Sequence, residues 1–124
     1  MTRLVSSEAQ VKRDCEQRLQ IAKNQGKLLY HRLNAGMIIV KGKSESEKEY
    51  AVRNAPKGTA DFIVELPALF TNVCTYFRVI YIELKKPGGE QSEAQAKFQK
   101  EVEDAGAEYY LVESVEELER ILKE

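Results

Sequence analysis

The stretch from Phe77 to Val112 constrains the fold more than any other part of the chain. It opens on an apolar run, Val79-Ile80-Tyr81-Ile82, that reads as a buried strand. Pro87-Gly88-Gly89 then turns the chain away, and Ser92 caps a helix predicted to run to about Ala105. Ala94, Phe98, Val102 and Ala105 recur at helical spacing and are expected to face inward. Gly106 stops that helix, and Glu108 to Val112 forms a further strand. A strand–helix–strand crossover of this kind joins parallel neighbours in one sheet.

The chain before this unit reads as a meander. Strands are predicted over Leu28 to Leu33, Met37 to Val40, Tyr50 to Arg53 and Ala60 to Leu66. Lys43 to Glu49 is polar and reads as a hairpin tip, and Pro56-Lys57-Gly58 reads as a turn. Pro67 lacks an N–H for the ladder and is expected to end its strand, with Ala68 to Tyr76 as a connection and Cys74 in a loop. Helices flank the meander. Ser7 with Gln10, and Ser114 with Glu117, read as capping boxes. Val11, Cys15, Leu19 and Ala22 form the buried stripe of the first helix, and Val115, Leu118 and Ile121 or Leu122 that of the last. The order of elements predicts an α/β sandwich with a central mixed sheet flanked by helices, built as a single domain over residues 1–124.

Composition narrows the class. Charged residues make up 31% and hydrophobic residues 43%, as in a globular protein. A net charge of −1 carries no bulk basicity, so any nucleic-acid contact must rest on a local patch. The two cysteines form no CxxC pair and are expected to be free thiols in a reducing cytoplasm. No signal peptide or long apolar run stands out, so neither export nor a membrane span is expected.

The chemistry gathers where the central strand ends. In Glu83-Leu84-Lys85 the alternation of side chains puts Glu83 and Lys85 on one face, at the edge of an apolar core. Charges there are costly to bury unless they are paired or bound to a metal. Asp61 lies on the preceding strand, and antiparallel neighbours lie ~5 Å apart, so Asp61 and Glu83 can share one hard cation. Magnesium keeps several waters, so two carboxylates and the Leu84 carbonyl would be sufficient protein ligation. Lys85 could orient a water or stabilise a transition state. Taken singly, Asp61 reads as an acid after a turn and Glu83 with Lys85 as a solvated ion pair; it is their order on successive strands that favours the metal site. Gln95 is accounted for as the third residue of a Ser-x-x-Gln capping box. Projected on a helix, Glu8 falls on the apolar stripe one turn before Val11 and is expected to point inward. Arg32 and Asn34, with Lys41, Arg53 and Lys57, make a phosphate-facing patch or a solvated face.

In order along the chain these segments resemble the VRR-NUC family, a branch of the PD-(D/E)XK nuclease superfamily, and in particular its small stand-alone phage-type members. Ser7-Glu8-Ala9-Gln10 is similar to the family's first-helix motif, with Glu8 as its acid. Arg32-Leu33-Asn34-Ala35-Gly36 resembles its Arg-x-Asn-x-Gly segment. Gly58-Thr59-Ala60-Asp61 matches the Gly-x-x-Asp element and Glu83-Leu84-Lys85 the Glu-x-Lys element. Ser92-x-x-Gln95 matches the helix on which the family carries an active-site glutamine. Ala60 stands where many relatives of the superfamily have proline, and Phe70 to Phe77 lengthens the hairpin between the two strands. The resemblance implies a restriction-endonuclease-like fold and a magnesium- or manganese-dependent endonuclease acting on DNA. It implies catalytic roles for Glu8, Asp61, Glu83, Lys85 and Gln95. It also implies a homodimer cutting branched DNA such as four-way junctions, since one short chain carries one site. The alternatives are a catalytically silent nucleic-acid-binding or assembly module of the same fold, and a metal-dependent hydrolase of small substrates.

Overall fold

The computed structural model describes residues 7–33, 37–40, 50–53, 56–71 and 74–123, with the strand segments 37–40, 50–53, 68–71 and 74–76 described by their backbone alone. The chain is mixed α/β: a four-stranded mixed sheet flanked by three helices. Helix α1 spans Glu8–Asn24, strands β1 to β5 span Leu29–Arg32, Met37–Val40, Tyr50–Arg53, Phe62–Thr71 and Cys74–Leu84, helix α2 spans Glu93–Asp104, β6 spans Glu108–Val112 and helix α3 spans Val115–Lys123. The sheet order is β1-β4-β5-β6. Its first three strands run antiparallel, and β6 lies parallel to β5, as the intervening helix predicts. Strands β2 and β3 pair antiparallel as a separate two-stranded sheet, and the expected hairpin tip from Lys43 to Glu49 lies outside the described residues.

Alternation along the strands sorts the two faces. Val64, Ile80, Ile82, Leu84 and Val112 are fully buried against the stripe of α1 (Val11, Cys15, Leu19, Ala22) and against Leu118 of α3. Each fully buried Leu or Ile contributes about 1.5–3 kcal/mol. The opposite face carries Ala60, Tyr81 and Tyr109, which pack with Val102 and Phe98 of α2. Among the described residues no helix is long and apolar enough to cross a membrane. Cys15 is a free, buried thiol whose pKa is pushed up to about 12, by burial and then by the charges of Asp14, Glu116 and Glu117. The side chain of Cys74 lies outside the described residues.

Several expectations need correction. Pro67 does not end its strand: β4 continues to Thr71 and pairs Pro67 with Phe77. The reason lies on the other side of β4, where β1 stops opposite Glu65, so the sheet edge at Pro67 asks for no N–H. The expected connection from Ala68 to Tyr76 is thus mostly a hairpin arm, and Cys74 opens β5. Ala105 is exposed, because it is already the C-cap of α2 and Gly106 leaves the helix at φ +90°. The N–H groups of Gly106 and Ala107 close the helix onto Glu103 and Val102. Two of the three expected capping boxes are half formed. Ser7 and Ser114 accept the N–H groups of Gln10 and Glu117, but the Gln10 side chain turns to Asp14 and the Glu117 carboxylate accepts the Glu113 N–H.

At the far end of the sheet Arg78 makes a bidentate pair with Glu108, at 2.8 and 2.6 Å, and donates to the Ile121 carbonyl. The Tyr110 hydroxyl donates to the same carboxylate. This network ties β5, β6 and the end of α3 together and holds the Glu108 carboxyl below its usual pKa. The chemistry-bearing residues lie at the other end.

Candidate active site

The register that pairs Phe62 with Ile82 brings the start of β4 beside the end of β5. Asp61, the residue just before β4, therefore lies next to Glu83. Three contacts fix it. Its Oδ2 accepts the Leu84 N–H at 2.7 Å, its carbonyl accepts the Leu33 N–H at 2.8 Å, and its Oδ1 sits 3.2 Å from Lys12 Nζ. Leu84 turns its side chain into the α1–α3 core and its N–H toward Asp61, while the next N–H, of Lys85, points to Val112 on β6.

Glu83 is 4% exposed and is the only buried charged residue among those described. Its Oε1 accepts a hydrogen bond from the Gln95 side-chain amide at 2.8 Å. Its Oε2 is buried with no hydrogen-bond partner among the described residues. Burial, and after it the negative charge of Asp61, pushes the Glu83 pKa up to about 8, against the opposing pull of Lys85 and Lys12; a hydrogen bond to Asp61, which only the protonated form of Glu83 can donate, adds a smaller upward push.

Gln95 reaches Glu83 because its helix start is fixed twice. Within α2 the capping box is complete: Ser92 Oγ accepts the Gln95 N–H at 3.1 Å, and Gln95 Oε1 accepts the Ser92 N–H at 2.8 Å. That leaves the amide nitrogen to donate outward, to Glu83. From the other side Gly58 packs onto the first turn of α2. It has φ +90°, and a Cβ there would land on the carbonyl group of Ala94. Only glycine meets both conditions, and it presses the loop carrying Asp61 against the helix carrying Gln95.

These residues line one cleft of about 700 Å³ at the end of the sheet. Asp61, Glu83, Lys85 and Gln95 share it, as the sequence predicts, together with Glu8 and Arg32. Glu8 is a correction in direction. It is exposed at the rim and does not point into the core, because the first turn of α1 overhangs the end of the sheet and burial begins at Val11. Arg32 is 72% exposed and pairs loosely with Glu16 at 3.6 Å. Lys57 is exposed and lines an adjoining groove, not this cleft. Of the expected basic patch, Arg32 lines this cleft and Lys57 the adjoining groove. Arg53 is placed on β3 with its side chain outside the described residues, and Asn34 and Lys41 lie outside them altogether.

Lys12 is the residue that sequence reasoning missed. Its signal was the four-residue spacing of Glu8, Lys12 and Glu16, which puts all three on one stripe of α1 facing the cleft. The strands alone do not reveal that this stripe crosses the sheet end at Asp61.

Among the described residues no three His, Cys, Asp or Glu side chains form a group that could hold a metal ion. Asp61 and Glu83 lie side by side in the cleft. An orphaned, buried carboxylate oxygen beside a second carboxylate is a site where a cation relieves both desolvation and repulsion, so the pair fits a hard divalent ion that keeps most of its waters. No family model matches the chain, and no curated protein or solved structure matches it.

Proposed function

We propose that the protein is a metal-dependent deoxyribonuclease of restriction-endonuclease-like fold, similar to the VRR-NUC nucleases, which hydrolyses phosphodiester bonds in branched DNA such as four-way junctions. The observation that carries this reading is the unpartnered Glu83 Oε2 beside Asp61, with Lys85 on the same wall of the cleft. Asp61 and Glu83 would hold a magnesium or manganese ion, with the Leu84 carbonyl as the backbone ligand. Such an ion supplies positive charge against the scissile phosphate and acidifies water.

The chain's own residues then divide the work. Gln95 fixes the Glu83 carboxylate by its 2.8 Å bond, which leaves Oε2 for the ion. Lys85 orients the attacking water or meets the charge that builds on the phosphate. Lys12 balances Asp61, and Glu8 at the rim is within the same cleft to take part in proton transfer. Arg32 meets a neighbouring phosphate. One carboxylate site among the described residues and a substrate cut on two strands favour a homodimer, working in a bacterial or phage-infected cytoplasm. A cleavage assay on four-way, flapped and linear duplex DNA, with and without magnesium or manganese, tests the reading. Metal-dependent cleavage of the branched DNA supports it. Binding without cleavage in either metal points to a silent module of the same fold.

A further inference from the structure

A second groove leaves the carboxylate cleft and has no part in the chemistry above. Leu33 and Thr59 line both, so the two adjoin. The groove encloses about 470 Å³, in the range of about 300–1,000 Å³ that holds small-molecule-sized groups. One wall is a stripe of α2, where Ala94, Lys97, Phe98 and Glu101 follow at helical spacing. The facing wall is the loop at Pro56, Lys57 and Thr59, and Tyr81 contributes from β5. The Tyr81 and Phe98 rings meet edge to face at 5.4 Å, both half-buried. Lys57 and Lys97 are exposed beside them.

Charge runs in a definite direction along this groove. Helix α2 begins at the cleft with Gln95, so Lys97 lies near the cleft and the acid Glu101 farther out. From Gln95 to Glu101 the helix rises ~9 Å at 1.5 Å per residue. Lys97 toward the cleft, Lys57 on the facing loop and two aromatic rings are groups that can take a phosphate with its base.

We propose that this groove holds a short unpaired stretch, about one or two nucleotides, of the same DNA strand that enters the cleft. Its bases stack on Phe98 and Tyr81, and its phosphates lie opposite Lys57 and Lys97. The proposal rests on the nuclease reading and specifies it: the preferred substrate carries unpaired nucleotides next to the bond to be cut.

The test compares a fully paired duplex with the same duplex bearing a short unpaired thymidine tail, by fluorescence anisotropy in calcium. The tailed DNA is expected to bind about ten-fold tighter. In Lys97→Glu and in Phe98→Leu the ratio of the two affinities is expected to fall toward one. Melting curves establish that each variant is folded, and an unchanged ratio in a folded variant counts against the groove. A tail carrying 5-iodouracil should crosslink to Phe98 or Tyr81 on irradiation, and a crosslink confined to other residues would overturn the assignment. Equal binding of the two DNAs, or failure to bind the tailed one, overturns the groove and leaves standing the nuclease reading, which the cleavage of branched DNA tests separately. If Lys97→Glu changes the oligomeric state while the tail preference persists, the groove is a subunit contact and the proposal falls.

Discussion

The Gln95 side chain is bonded at both ends: its oxygen closes the capping box of α2, and its nitrogen donates to Glu83 at 2.8 Å. Local helix chemistry and the placement of a buried carboxylate thus share one amide. The two roles separate by substitution. Gln95→Glu keeps a capping acceptor at the third helical position but loses the donor to Glu83 and adds a negative charge there. Gln95→Ala loses both. Gln95→Ala is expected to cost about 1 kcal/mol of stability, and both variants to lose at least about ten-fold in cleavage per folded molecule. Thermal melts alongside single-turnover rates check this. Full activity in Gln95→Glu would reduce Gln95 to a cap.

The ionisation of Glu83 predicts how stability depends on pH. Its folded-state pKa, about 8, lies above its ordinary value of 4.5. The folded protein therefore holds this proton more tightly than the unfolded chain does. The contribution to stability is complete below pH 4.5 and is lost as pH rises through about 8. Metal-free protein should lose melting temperature across that window. Magnesium should restore it at the alkaline end, by about 2.7 kcal/mol at a hundredfold excess over the dissociation constant, and do little near pH 5, where protons compete for the same oxygens. Melting curves against pH, with and without magnesium, test this. A stabilisation by magnesium that is independent of pH would place the ion elsewhere.

Lys12 is a cation already sitting on a proposed metal ligand, 3.2 Å from Asp61 Oδ1. With 45% of its side chain exposed, the pair adds little stability. Lys12→Met should leave the melting temperature nearly unchanged and tighten manganese binding several-fold, since it removes a like charge beside the ion. Isothermal titration calorimetry with manganese measures it. Weaker binding in the variant would mean that Lys12 orients Asp61 and does not compete with the ion.

Gly58 carries a steeper penalty. Any side chain there meets both a left-handed backbone and the carbonyl group of Ala94. Gly58→Ala is expected to cost at least about 2 kcal/mol and to displace Asp61 from Gln95. Denaturant unfolding gives the value, and a loss under half of it would mean the loop can move off α2 freely.

The parts of this site that were legible in the sequence are those set by short-range geometry. Strand alternation put Glu83 and Lys85 on one face, and the Ser-x-x-Gln spacing fixed Gln95 at the start of a helix. The bond from Gln95 to Glu83 was not legible from the capping box, because it depends on how closely Gly58 lets the loop approach α2. A helical projection puts Glu8 on the apolar stripe and predicts its burial, because it does not contain the point at which burial along α1 begins. Lys12 depends on that same point. Pro67 misled for a related reason: its missing N–H matters only where another strand lies alongside, and β1 stops short of it. In each case the missing information was the extent of a neighbouring element.

The most direct test of the central claim is single-turnover cleavage of a four-way DNA junction by the purified protein and by Asp61→Ala, with magnesium present. Metal-dependent cleavage by the parent is predicted, with a loss of at least about 100-fold in Asp61→Ala while junction binding is retained. An Asp61→Ala protein that cuts within a few-fold of the parent, or a parent that cuts no DNA in either magnesium or manganese, would contradict the account.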